Sequence, residues 1–198
     1  STQNPIEQEG VYQLPEAQRD RFLFKLNVGY PSPEEEREII YRMGVKPPEP
    51  KQILTTEDLL RLQDVAANTF VHHALVDYVV RIVTATREPE KFGMPDAKAW
   101  IAYGASPRAS LGIISASRAL ALVRGRDYVI PQDVVEVIPD VLRHRLVLTY
   151  DALADEISAE TVVNRILQTV ALPQVNAIPQ QGHSVPPVMA GAAGVSGR

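Results

Sequence analysis

Apolar residues recur at helical spacing along most of the chain, and in one place they run together as a strand would. That place is Phe22 to Val28 (Phe-Leu-Phe-Lys-Leu-Asn-Val), bounded by Gly29 and Pro31, which reads as a buried strand. A lone strand is not stable in water, so its partners are expected elsewhere. The polar, turn-rich residues 6–20 lead into it, and residues 1–31 read as the remnant of a larger sheet domain. Ser32-Pro33-Glu34-Glu35 then spells a capping box, with a helix to about Met43 that Gly44 stops. Thr55 caps the next helix, whose Leu59, Leu62 and Ala66 share a face.

Residues 71–86 form a third expected helix, with Leu75, Val79 and Ile82 joined by Val76, Val80 and Val83, apolar on more than one face and therefore central. After a loop holding Pro89, Gly93 and Pro95 comes a helix from Pro107, carrying Ala109, Ile113, Ala116, Leu120 and Val123 and ending near Gly125. Pro131 starts another, which Pro139 is expected to kink or split near Ile138. Thr149 to Asp155 reads as a turn, and Ser158 opens a last helix with Val162, Ile166 and Val170 inward. From Pro173 on, Gln, Gly, Ala and Pro accumulate without period. Four parts result: 1–31, the sheet remnant; 32–52, a connecting helix and the stiff linker Pro47-Pro48-Glu49-Pro50; 53–172, a helical domain; and 173–198, a disordered tail. The expected class is mainly α, a helical bundle preceded by one or two strands and a short helix of an α/β core.

Composition narrows the function classes. The 198 residues carry a net charge of −4, which gives no electrostatic reason to expect nucleic-acid binding. No apolar run is long enough to span a membrane and no secretory signal is visible. With no cysteine, disulfide and thiolate chemistry are excluded and a cytoplasmic location is expected.

Most candidate chemistry dissolves on inspection. His72 and His73 are neighbours on an expected helix and project about 100° apart. His144 and His183 are isolated, so no metal-ligand spacing is present. Gly182-His183-Ser184-Val185-Pro186 lacks the last glycine of a nucleophile elbow. Glu34-Glu35-Glu36 suits a helix start through the dipole, with no need for acid–base work. Arginines 118, 124, 126, 143 and 145 could grip phosphates, although solvated faces and helix ends account for most of them. No Gly-x-x-x-x-Gly-Lys-Ser/Thr loop occurs, so a phosphate cradle, if one is used, lies outside these residues.

One stretch stands apart. In Gly104-Ala105-Ser106-Pro107-Arg108, Ser106 is a good N-cap and Pro107 suits the first helical position, which leaves Arg108 in the first turn. A cation at that positive pole costs roughly 0.3–1 kcal/mol unless an anion lies beside it. Arginine plus free helix N–H groups makes a ready phosphate site; the plainer alternative is that Arg108 folds back onto a carboxylate.

Three stretches together carry a resemblance. Thr2-Gln3-Asn4-Pro5-Ile6-Glu7, then Gly10-x-Tyr12-x-Leu14-Pro15-Glu16-Ala17-Gln18-x-Asp20-Arg21-Phe22, then Gly104-Ala105-Ser106-Pro107-Arg108-Ala109 are similar to the MoxR family of AAA+ ATPases. Gly125-Arg126-Asp127-Tyr128-Val129 with Asp133-Val134, and Leu142-Arg143-His144-Arg145-Leu146, extend the match over about residues 1–172. The chain resembles the C-terminal half of such a protein, from just after Walker B, which makes residues 53–172 the helical lid.

The resemblance implies roles. Asn4 matches sensor 1, which holds the attacking water or γ-phosphate; Arg21 matches the arginine finger, reaching the neighbouring subunit's nucleotide; Arg108 matches sensor 2. Asn4 could instead cap a turn before Pro5, Arg21 could pair with Asp20 or Glu16, and Arg19 is a rival finger, a charge where the family is usually apolar. The resemblance further implies ATP and Mg held mainly by the other half, a hexameric ring, and chaperone-like remodelling or maturation of clients bearing von Willebrand factor A domains. Lacking Walker A and B, these residues alone are expected not to hydrolyse ATP. The alternative from another class is a non-catalytic helical interaction module.

Overall fold

A computed structural model of the chain describes residues 1–2, 14–44, 47 and 49–174. It is mainly helical. In chain order come α1 (Glu16–Arg19), α2 (Pro33–Met43), α3 (Thr56–Asn68), α4 (His73–Ala85), a 3-10 turn (Pro89–Phe92), α5 (Ala97–Trp100), β1 (Ile101–Tyr103), α6 (Pro107–Val123), α7 (Pro131–Leu142), β2 (Val147–Leu148), α8 (Tyr150–Ala154) and α9 (Ala159–Thr169).

The core is built on α4, α6, α7 and α9, and it lies entirely after residue 70. Helix α4 is central as its pattern requires: Leu75, Tyr78, Val79, Ile82 and Val83 are fully buried. Its second apolar stripe is buried only at Val83, while Val76 and Val80 remain 39% and 50% exposed. Ala109 and Ile113 of α6 interlock with Val134, Ile138 and Val141 of α7, while Val162 and Ile166 of α9 close the far side. β1 and β2 pair antiparallel, Ile101 with Leu148 and Tyr103 with Val147, and tie the loop before α6 to the chain after α7.

Local chemistry fixes most boundaries. The boxes at Ser32/Glu35 and Thr55/Asp58 both form, with each cap side chain accepting from the third helical N–H and each acid accepting from the cap N–H. Gly125, at φ 71°, ends the α6 turn in the left-handed region that glycine adopts freely.

Several expectations need correction. Phe22–Val28 is not a strand: no strand lies beside it among the described residues, and its main chain is held by the side chains of Arg143, His144 and Arg145 and by one bond from Lys25 N–H to the Asp140 carbonyl. The two short strands lie elsewhere, at 101–103 and 147–148 within the helical bundle. Pro139 does not split its helix; α7 continues through it, and Arg143 N–H still bonds the Pro139 carbonyl. Residues Tyr150–Ala154, expected as a turn, make the short helix α8, capped by Thr149 Oγ1. His72 is not on a helix but is the N-cap of α4, its Nδ1 accepting from Ala74 N–H, and its ring lies 4.2 Å from that of His73. The tail from residue 175 and residues 45, 46 and 48 of the proline linker lie outside the described residues.

Candidate functional site

The loop into α6 is shaped by Thr86, the buried residue that ends α4. Its Oγ1 donates to the Val83 carbonyl at 2.6 Å and accepts from Ala105 N–H at 2.9 Å. Gly104 passes so close that a β-carbon there would lie 2.3 Å from the Thr86 carbonyl oxygen, which no side chain tolerates. Ala105 is buried next to it. Ser106 then caps α6, its Oγ accepting from Arg108 N–H at 3.3 Å. This places Arg108 in the first turn with 55% of its side chain exposed.

Asp20 organises what surrounds it. Its Oδ2 accepts from Ser106 Oγ at 3.0 Å and from Arg108 Nη1 at 3.4 Å, and its Oδ1 accepts from Arg145 Nε at 3.0 Å. The carboxylate thus sits at the N-terminus of α6, where it offsets both the helix dipole and the arginine placed against it. In this state Arg108 does fold onto an acid, the plainer of its two readings. It is not turned inward, however: its head group is open to solvent beside the segment that carries Arg21.

Arg145 is the buried member of the cluster, with 3% of its side chain exposed. Beyond Asp20 Oδ1, its Nη2 donates to the carbonyls of Asp20 at 3.1 Å and Phe22 at 2.6 Å. Its Nη1 donates to Leu23 O at 3.0 Å and to the Val141 carbonyl. One planar fork therefore collects main-chain oxygens on both sides of Arg21. Burial pushes the Arg145 pKa down and Arg108 adds to that, while Asp20 acts against both.

His144 extends the grip. Its Nε2 is 2.9 Å from the Phe22 carbonyl, and a carbonyl only accepts, so Nε2 carries the proton. Nδ1 is then bare, buried and without a hydrogen-bond partner among the described residues. Burial holds the His144 pKa below its usual value, helped by Arg145 and Lys25 and opposed by the Phe22 hydrogen bond and Asp20. Further along, Lys25 N–H bonds Asp140 O at 2.9 Å, and Arg143 Nη1 donates to Lys25 O at 2.6 Å.

Of the residues singled out from the sequence, Arg21 and Arg108 are brought to one place. Arg21 follows Asp20 directly, is exposed, and makes no ion pair among the described residues. Arg19, the rival finger, lies in α1, half-buried, with Nε enclosed. Asn4 lies outside the described residues. The other arginines are mostly spoken for: Arg124 and Arg126 converge on the fully buried Asp133, and Arg143 pairs with Asp140 and Glu160. Burial raises the Asp133 pKa, but Arg126, the Ile130 N–H and Arg124 outweigh it and leave it below the usual carboxylate range. The residues that sequence reasoning missed are Asp20 as a hub and Arg145 as its buried partner. Asp20 appeared only inside a motif and as a partner for Arg21, and Arg145 only in the Arg-His-Arg run at 143–145, in which nothing tells a buried fork from a solvated one.

No group of three or more His, Asp or Glu able to hold a metal occurs among the described residues, and no described helix is long and apolar enough to cross a membrane.

Residues 96–166 match the AAA lid domain family, and residues 1–24 match the ATPase family associated with various cellular activities (AAA), so the cluster joins residues matched by the one to a residue matched by the other. The chain is 82% identical over its whole length to Chaperone MoxR1 of Mycobacterium tuberculosis (strain ATCC 25618 / H37Rv), of which it covers 52%. It is 39% identical to the YeaC protein of Bacillus subtilis (strain 168) over 87% of the chain and 52% of that relative. A crystal structure of a candidate ATPase from Cytophaga hutchinsonii ATCC 33406 superposes with a TM-score of 0.83 at 36% identity, over 87% of this chain and 53% of that one. The chain belongs to the MoxR family of AAA ATPases, and it spans about half the length of the curated relatives it matches.

Proposed function

We propose that this chain supplies the sensing and finger half of a MoxR-type AAA+ ATPase that uses ATP for chaperone-like remodelling or maturation of partner proteins. In this reading Arg108 is sensor 2, meeting the γ-phosphate from the lid of its own subunit. Arg21 is the arginine finger, reaching the nucleotide of the next subunit in a hexameric ring, and Asn4 is sensor 1. ATP and Mg are held mainly by a P-loop half that these residues do not include, so the 198 residues alone bind ATP weakly and do not turn it over. Proteins bearing von Willebrand factor A domains are the proposed clients, and the cytoplasm the proposed location.

The observation that carries this reading is the pair of arginines around Asp20: Arg108 is half-exposed at a helix N-terminus, and Arg21 is exposed next in sequence to the carboxylate that Arg108 contacts. Phosphoryl transfer spreads charge over the γ-oxygens, and catalysis is largely positioning plus cationic stabilisation. An anion that binds the α6 N-terminus would take Arg108 from a single 3.4 Å contact with Asp20, a loose bond for an exposed pair.

The test is ATP turnover by the chain joined to a P-loop half. Arg21→Ala is expected to lower kcat by about 10³-fold or more, the scale of a lost arginine finger. Arg108→Ala is expected to lower it together with ATP affinity. Unchanged turnover in both variants would overturn the assignment.

A further inference from the structure

One cluster has more contacts than the proposed roles need: Arg145 with Asp20. A lid arginine with 3% exposure that binds one carboxylate and four carbonyls is far more than is required to close a bundle. Three of those carbonyls, at Asp20, Phe22 and Leu23, flank Arg21, which belongs to the other part of the chain. The Asp20 carboxylate also reaches across to Ser106 and Arg108 at the start of α6. Leu23 adds an apolar stop: its Cδ1 lies against Gly112 of α6, where a β-carbon would come within 3.1 Å.

We propose that Arg145, through Asp20 and the carbonyls of Phe22 and Leu23, is a positioning residue for Arg21. It pins the main chain on both sides of the finger to the lid and leaves only the finger's side chain free. The inference rests on the reading of Arg21 as a finger acting on a neighbour's nucleotide. Its consequence is directional. The lid that carries Arg108 to one nucleotide is riveted to the segment offering Arg21 to the next, so a lid movement in one subunit displaces the finger seen by its neighbour. Arg145 itself touches no nucleotide in this scheme; burial and its filled hydrogen bonds keep it from doing so.

The experiment uses the full-length ATPase. Arg145→Lys keeps the charge but loses the fork, and it is expected to lower kcat by about tenfold to a hundredfold while the KM for ATP stays within about twofold, as a displaced catalytic group does. The readout that a general folding defect would not give is trans-complementation. Arg145→Lys subunits, with an intact P-loop and a misplaced finger, are mixed with subunits inactivated in the P-loop that keep a well-placed finger. Mixing the weakened form with the inactive one is expected to raise turnover well above the sum of the two alone. Asp20→Asn, which keeps the Ser106 contact, is expected to show the same pattern more weakly and serves if Arg145→Lys does not assemble.

Arg21→Ala mixed with the same P-loop-inactive subunits is the control. If it is not rescued, the finger reading fails. If it is rescued and neither Arg145→Lys nor Asp20→Asn is, or if both keep full kcat, the positioning role is overturned while the finger reading stands.

Discussion

His144 shows how much a single side chain adds to the join between the two parts of the chain. Neutral, it donates one hydrogen bond to Phe22 O and leaves Nδ1 enclosed; protonated, it would carry a second buried donor and a charge beside Arg145 and Lys25, which the Phe22 carbonyl and Asp20 do not offset. Its pKa in the fold is below the usual 6.5, so the unfolded chain binds the proton first as pH falls. The stabilisation from neutral His144 is therefore present above about pH 6.5 and is lost as pH drops through the lower, folded value. His144→Gln, whose amide can still donate to Phe22 O, is expected to flatten the pH dependence of stability in that window. Urea unfolding of both forms at several pH values measures it, and identical slopes would show that His144 is not the group responsible. Asp133 follows the same logic in the acid range: held below the ordinary carboxylate value, it contributes stability that acid removes.

At the scale of elements, the start of α6 depends on chain geometry set by its neighbours. Thr86 at the end of α4 and Gly104, packed so tightly on its carbonyl that no β-carbon fits, bring Ser106 to the point where one hydroxyl both caps α6 and donates to Asp20. Ser106→Ala is expected to cost about 1 kcal/mol as a lost cap and to release Asp20 from α6. Thermal unfolding checks the first effect. Weaker binding of the Asp20–Lys25 segment, seen as faster amide exchange at Phe22 and Lys25, checks the second. Helix α7 shows why a local rule can mislead. Proline removes one N–H and crowds the preceding turn, yet Val134, Ile138 and Val141 are all completely buried, and the packing of that face holds the helix together through Pro139.

For the molecule as a whole, the core lies after residue 70, and residues 20–28 dress its surface through side chains that grip a backbone. Apolar contact adds to that attachment only near its start. Phe22, Leu23 and Phe24 are each about 40% exposed, and Val28 is 92% exposed. Gly112→Ala places a methyl against Leu23 at 3.1 Å and is expected to loosen this attachment while leaving the lid intact. Limited proteolysis should then cut sooner within 22–30 with little change in the melting temperature of the lid. Unaltered cleavage would show that the Leu23 contact does not hold the segment.

The sequence by itself determined the long helices and most of their caps, because those follow from spacing and side-chain chemistry within a few residues: Ser32, Thr55, Ser106 and Ser158 all cap the helices expected of them. It also brought forward Arg21 and Arg108, through motifs that resemble a family. Tertiary structure alone decided that Phe22–Val28 would be clamped and not paired as a strand, since pairing needs a neighbour that spacing cannot supply. It alone joined residues 20, 106, 108 and 145 around one carboxylate. Their separations of 86 to 125 positions leave no mark in local pattern, and whether an arginine is buried depends on what the rest of the chain brings to cover it.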